Sequence, residues 1–209
     1  MPELSGELLA TRVAFLELND ERRLIQEGYE LLDEKRMLLA TEILRQLRRH
    51  DELIARMQDD ERLAREALEK AVIEHGFEEL TVQPPCPVDA LLLRTDSRRF
   101  LGLDLIEADL EREELRTLAP SLRSTPELRS CAEAFRSLTH DHAAVSGTSR
   151  NLRRLTDEYV RTERRARALE KVLLPEIDES LRFIEEQLDA LDQEEALRVR
   201  MASAESDRD

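Results

Sequence analysis

The residues able to do chemistry are few and scattered. His140 and His142 flank Asp141, but positions two apart on a helix point to different faces and do not converge on one metal ion. They read as surface histidines. His50 falls on a long helical stripe as a polar position, and His75 beside Gly76 closes a helix end. Cys86 stands among Pro84, Pro85 and Pro87 with no base nearby. Cys131 fits an apolar helix face, and the two cysteines form no Cys-x-x-Cys pair. No glycine-rich phosphate loop is present. Carboxylates are abundant everywhere, so none stands out as a paired acid and base. The sequence predicts no catalytic residue, no cofactor, no metal site and no enzymatic activity.

What remains is scaffold, and composition says which kind. In 209 residues, 38% are charged, 3% are aromatic and none is tryptophan. Five glycines and seven prolines leave long stretches free of helix breakers. This is the profile of long helices or coiled coils rather than of a sheet protein. The net charge of -15 makes nucleic acid a poor partner. No run of 18 apolar residues exists, and the N-terminus shows no signal peptide, so neither membrane insertion nor secretion is expected. Two distant cysteines fit a cytoplasmic chain.

The first stripe reads Thr11, Phe15, Leu18, Arg22, Ile25, Tyr29, Leu32, Arg36, Leu39 and Ile43, spaced alternately three and four. The arginines interrupt it, their stems covering the stripe and their guanidinium groups at its edge. With no proline from Glu3 to Gln83, the pattern predicts one helix of about 70 residues, near 100 Å long, starting near Leu4 or Ser5 and weakened at Gly76. Gly28 inside it is either tolerated or marks a close approach by another helix. The last stripe reads Leu152, Leu155, Tyr159, Thr162, Ala166, Leu169 and Leu173, on a helix beginning at Pro126 behind a Ser124 or Thr125 cap. Around Ser146–Ser149 that helix either loosens or continues. Pro175 predicts a kink through a clash with the carbonyl of Lys171. Past it the phase shifts, through Ile177, Leu181 and Ile184.

Between the helices, Pro84, Pro85 and Pro87 end any helix. Val88–Leu93 and the stretch from Phe100 to Ile106 suit two strands around a turn at Thr95, Asp96 and Ser97. A short helix from Ile106 to Leu118 is the competing reading. The fold class expected is all-α: a long antiparallel two-helix coiled coil, or helical hairpin, with a small middle segment holding a short β-hairpin and short helices. The boundaries are 1–80 for the first helix, 81–125 for the middle segment, 126–200 for the last helix and 201–209 for a disordered tail. A dimeric coiled coil is the alternative pairing.

On the last helix, Arg150, Arg153, Arg154, Arg161, Arg164, Arg165, Arg167 and Lys171 outnumber the local acids, and the stretch from Glu185 to Glu195 is strongly acidic. The first is read as a solvated face with intrahelical pairs such as Glu163 with Arg167, or as a docking surface for an acidic partner.

Two places resemble a known family. Thr11 and Arg12, followed by Gly28, Leu31, Leu32, Lys35 and Arg36, are similar to the start of the D subunit of the V-type or A/V-type rotary ATPase or ATP synthase. Ala168, Leu169, Glu170, Val172, Leu173, Leu174, Pro175, Ile177, Arg182, Phe183 and Ile184 are similar to its end, and the proline within a helix is the specific part. Ala10, Asp33, Arg167 and the run from Ala190 to Glu194 depart from the family pattern.

The resemblance implies a non-catalytic central-stalk rotor subunit, coupling ATP synthesis or hydrolysis in the head to proton or sodium translocation. It implies the A and B subunits of the catalytic head, the F subunit and the C (d-type) subunit above the proteolipid ring as partners. It also implies a peripheral place on the inner face of the cell membrane through the complex. On that reading Phe15, Leu18, Ile25, Leu32, Leu169, Leu173, Ile177 and Ile184 pack the hairpin, and Arg12, Lys35, Arg36, Arg182 and Glu185 contact the head. A non-rotary coiled-coil scaffold or adaptor is the rival.

Overall fold

The computed structural model describes residues 11–81, 92–111 and 125–206. Its elements, in chain order, are α1 (Arg12–Thr81), β1 (Leu92–Phe100), β2 (Leu103–Glu111), α2 (Pro126–Ala168), a π-helical turn (Leu169–Leu173) and α3 (Leu174–Ser206). Two long helical stretches and one small antiparallel hairpin make an all-α coiled-coil fold with a short middle segment. The chain divides into two compact units. One joins residues 1–37 to 160–209, and the other holds residues 38–159.

α1 and α2 each start where a threonine caps them. Thr11 Oγ1 accepts the N–H of Ala14 at 3.1 Å, supplying a partner that the first turn lacks. Thr125 does the same for Leu128 at 3.4 Å, with Pro126 in the first helical position. The expected start near Leu4 or Ser5 lies outside the described residues. Gly76 takes φ 74° and ψ 159°, so the path of α1 breaks there although the helix resumes to Thr81.

In the unit of residues 12–37 and 160–206, α1 and α3 run antiparallel. Ile177, Leu181 and Ile184 are buried on one side, and Phe15, Leu18, Ile25 and Leu32 are half-buried on the other. Just ahead of Pro175, where a kink is expected, stands the π turn. Leu174 donates its N–H to the carbonyl of Leu169, five residues back, which widens the helix just before a residue that has no N–H to give. α3 continues to Ser206, so residues 201–206 are helical where composition suggested a tail; Ser203 Oγ bonds the Arg200 carbonyl at 3.0 Å within that end. Residues 207–209 lie outside the described set.

In the unit of residues 38–159, Leu39, Leu105 and Leu155 form a buried cluster, with Ile43, Phe100, Leu103 and Tyr159 packed against it. β1 and β2 pair antiparallel without a bulge, Leu92 opposite Glu111 and Phe100 opposite Leu103. The turn is at Leu101 and Gly102, both with positive φ, 48° and 85°, which a two-residue hairpin of this twist requires. The expected turn at Thr95–Ser97 is therefore corrected: these residues lie inside β1, because only the later pair offers a glycine for the left-handed position. Residues 106–111 are strand rather than the start of a helix. α2 passes through Ser146–Ser149 without interruption.

Candidate functional site

The described residues hold no cluster of three or more histidine, cysteine or carboxylate side chains able to hold a metal. The structure does show packed interfaces, and they are built differently in the two units.

Along α1 and α3, arginines that interrupt the apolar stripe find carboxylates on the facing helix. Arg22 Nε lies 2.6 Å from Asp178 Oδ1, and Arg36 Nη1 lies 2.7 Å from Glu163 Oε2. Arg36 also pairs with Asp33, and Arg167 reaches Glu163 at 2.7 Å. The hydrogen bond from Arg36 holds the Glu163 carboxyl below its ordinary value, against a smaller opposing effect of burial and with help from Arg167. Arg12 meets Asp192 at 3.2 Å on an exposed surface.

The expected packing residues separate into layers here. Ile177 and Ile184 are buried, while Phe15, Leu18, Ile25 and Leu32 are half-buried. Leu169 is half-buried, and a Cβ added at Gly28 would lie 3.7 Å from its Cδ1, an ordinary contact. Gly28 is thus not demanded by close approach. Leu173 is 38% exposed and stands outside the buried seam, because the π turn alters the angular spacing between Ala166 and Ile177. Among the expected head contacts, Arg182 and Glu185 are exposed, Lys35 is half-buried, and Arg36 is committed to Glu163 and Asp33.

In the unit of residues 38–159 three of the four histidines act as ties. His50 Nδ1 lies 2.8 Å from Thr148 Oγ1, joining α1 to α2. His75 Nε2 lies 2.7 Å from the Thr125 cap, and His140 Nε2 lies 2.7 Å from Asp109 Oδ1 of β2. Ser137 Oγ donates to Asp60 Oδ2 at 2.5 Å. Cys131 is buried, which pushes its thiol upward and keeps it protonated. Cys86 lies outside the described residues.

The hairpin is fixed from two sides. Glu42, 6% exposed, accepts from Arg45, from Gln46 at 3.0 Å and from Arg98 of β1 at 2.9 Å. Burial raises its carboxyl, but hydrogen bonds from Arg45 and Gln46 and the charges of Arg45 and Arg98 outweigh it, so the net shift is downward. From α2, Asn151 accepts the N–H of Ile106 at 2.7 Å and donates to its carbonyl at 2.8 Å. Arg154 donates to the Asp104 carbonyl at 2.7 Å. Gly147 permits this approach: a Cβ there would meet the Ala108 Cβ at 3.1 Å and its backbone nitrogen at 3.2 Å. Sequence reasoning missed Glu42, Asn151 and Gly147. The signal for Asn151 was a poor helix former inside a strong helical stretch.

A scaffold of paired helices with tied polar positions matches what comparison with known proteins finds. The family model for the D subunit of ATP synthase matches residues 14–204. The A-type ATP synthase D subunit of Pyrococcus abyssi is 28% identical, the alignment covering 98% of this chain and 96% of that protein. The V-type ATP synthase D subunit of Anaeromyxobacter dehalogenans is 30% identical over 95% of this chain and 96% of its own length. That of Thermotoga neapolitana is 24% identical over 91% and 94%. The match runs through both helical stretches and the hairpin between them, and the chain belongs to the family of ATP synthase D subunits.

Proposed function

We infer that the antiparallel helices are the working part of a central-stalk rotor. The chain is a non-catalytic subunit of a rotary ATP synthase or ATPase, coupling the catalytic head to the membrane sector. The observation that carries this is the family match over residues 14–204, on a chain whose helices pair antiparallel within each unit. Its interactions are with the catalytic head and the stalk subunits.

The finer assignment concerns which surfaces meet which neighbours. The A and B subunits surround the two helices, with Arg12, Lys35, Arg182 and Glu185 at the rim. Arg182 and Glu185 project to solvent from α3, which supports them as contacts; Arg36 is occupied within the chain and serves the seam. The F subunit and the C (d-type) subunit meet the middle of the chain, residues 81–125 and the helical stretches beside it. The shaft comprises residues 1–80 and 126–200. No described helix is long and apolar enough to cross a membrane, so a place on the inner face of the cell membrane rests on the other subunits.

The test is gentle detergent extraction of native membranes, capture on a tag at the C-terminus, and mass spectrometry. Recovery of A, B, F and C subunits, with one copy of this chain per three A subunits, is the expected result. Capture of the chain alone, or as a homodimer from membranes whose ATPase stays intact without it, overturns the reading in favour of a coiled-coil adaptor.

A further inference from the structure

The two edges of the β-hairpin are treated differently. Ile106 exchanges both of its main-chain hydrogen bonds with Asn151, so its N–H and C=O point away from β1. The Asp104 carbonyl is taken by Arg154, and the Ala108 nitrogen lies under Gly147. The outward groups of β2 therefore fall at residues 104, 106, 108 and 110, and α2 lies against the first three, bonding Ile106 and the Asp104 carbonyl. In the ladder, Arg99 stands opposite Asp104, Ser97 opposite Ile106 and Thr95 opposite Ala108. These must be the pairs that do not bond each other. The N–H and C=O groups of Thr95, Ser97 and Arg99 thus point out of the sheet on the other side. Among the described residues nothing bonds them, and the strand is exposed from Leu93 to Arg99.

An open edge of this kind is ordinarily blunted by a proline, a bulge, short length or charged side chains. β1 has only the last of these, and it runs nine residues in unbroken register. It is also basic, with Arg94, Arg98 and Arg99 against Asp96, in a chain of net charge -15. Arg98 turns inward to Glu42. By the pleat, Arg99 lies on the opposite face with Leu93, Thr95 and Ser97.

We propose that the open edge of β1 receives an extended segment of a neighbouring subunit as a third strand, with a carboxylate beside Arg99 and an apolar side chain beside Leu93. Main-chain bonds to Thr95, Ser97 and Arg99 supply the attachment, and the flanking side chains select the segment. A second copy of this chain is opposed by its own charge, since two strongly acidic chains repel while a basic strand attracts a local acidic segment. The inference rests on the rotor reading, because it needs a complex to supply the segment.

Amide hydrogen exchange, read residue by residue, tests it on the chain alone and on the intact tagged complex. Amides 94, 96 and 98 donate to β2, so they exchange slowly in both and report that the hairpin is folded. Amides 95, 97 and 99 should exchange fast in the free chain and about tenfold or more slower in the complex. Ser97→Pro removes only an outward N–H, which an edge strand tolerates, and should abolish that slowing while 94, 96 and 98 stay protected. Should that variant lose the hairpin, Arg99→Glu leaves every backbone bond in place and should reduce the slowing. Fast exchange at 95, 97 and 99 in a complex that carries the A and B subunits overturns the inference and leaves the rotor reading standing. Slowing that appears in the chain alone and grows with its concentration means a second copy occupies the edge, which also overturns it. Failure to recover the A and B subunits at all overturns the rotor reading and the inference with it.

Discussion

Gly28 and Gly147 are both helical glycines, yet one is dispensable on space and the other is not. A methyl group at Gly28 would make an ordinary contact with Leu169, whereas one at Gly147 would press against the backbone and Cβ of Ala108. The difference follows from what each region packs. In the unit of residues 12–37 and 160–206, helix faces helix, and side chains fill the space between. In the unit of residues 38–159, a helix lies directly against a strand edge, and only glycine lets the backbones meet. The first region is held by apolar side chains flanked by ion pairs, the second by a small core plus main-chain ties. The first exposes charged side chains such as Arg182 and Glu185 to solvent. The second fixes a hairpin on the helices.

The largest effect should come from the small core. Leu155→Ala, at a fully buried side chain among Leu39 and Leu105, should cost about 3–4 kcal/mol. Ile184→Ala, equally buried but between two helices that can close on the gap, should cost about 2–3 kcal/mol. Urea unfolding of the full chain by circular dichroism checks both. Equal costs would show that the helical seam is as rigid as the three-element core.

Next is the strand clamp. Asn151→Ala leaves the Ile106 N–H and carbonyl without their partner and should cost about 2 kcal/mol. The loss should appear as faster amide exchange in β1 and β2, with the seam around Ile184 unchanged. Faster exchange in both regions would mean that the clamp stabilises the whole chain rather than the hairpin.

The glycines sharpen the comparison by sign. Gly147→Ala should destabilise by about 1–3 kcal/mol through overpacking. Gly28→Ala should stabilise by up to about 1 kcal/mol, by helix propensity alone. Opposite shifts in thermal midpoint are the expected outcome, and a shift of the same sign in both would refute the distinction.

The helical plan was legible because periodicity and helix breakers act locally: the threonine cap at Thr125, the weakness at Gly76 and the irregularity near Pro175 are properties of neighbouring residues. The arginines within the stripe were legible as edge groups, but their carboxylate partners Asp178 and Glu163 lie far away in sequence. The hairpin register was not legible. Alternation in Leu92–Glu111 is blurred by charged residues on both faces, so the polar run Thr95–Ser97 looked more like a turn than Leu101–Gly102 did. Gly147 and Asn151 gave only a negative signal, low helix propensity, which does not reveal a strand lying against them. Leu173 fitted the stripe by counting, which assumes a uniform helical turn, and the π turn just before Pro175 moved it off the seam.

Acid should weaken both regions through different carboxylates. Glu42 and Glu163 are each held below the ordinary glutamate value of 4.5 in the folded chain. A lowered folded value means that the contribution is full above the unfolded value and is lost as pH falls from about 4.5 through the folded one. Glu42→Gln should flatten the fall in stability over that window as followed in β1 and β2, and leave the acid response of the α1–α3 seam intact. An unchanged profile in the hairpin would remove Glu42 as its acid-sensitive tie.

The smallest effect on folding belongs to Arg12, and for that reason it is the most useful probe of assembly. Arg12 and Asp192 are 77% and 60% exposed, and a pair so well solvated contributes about 0–1 kcal/mol. Arg22 and Asp178 are closer together and less exposed, and Arg36 with Glu163 less exposed still, so truncation at those positions mixes lost packing with lost charge. Arg12→Ala should leave the unfolding midpoint of the isolated chain unchanged. If Arg12 contacts the head, the same variant should lower coupled ATP hydrolysis in the reassembled complex or weaken its retention there. A variant with wild-type stability, retention and coupling would show that the exposed pair serves neither folding nor assembly, and would shift the search for head contacts to Arg182 and Glu185 on α3.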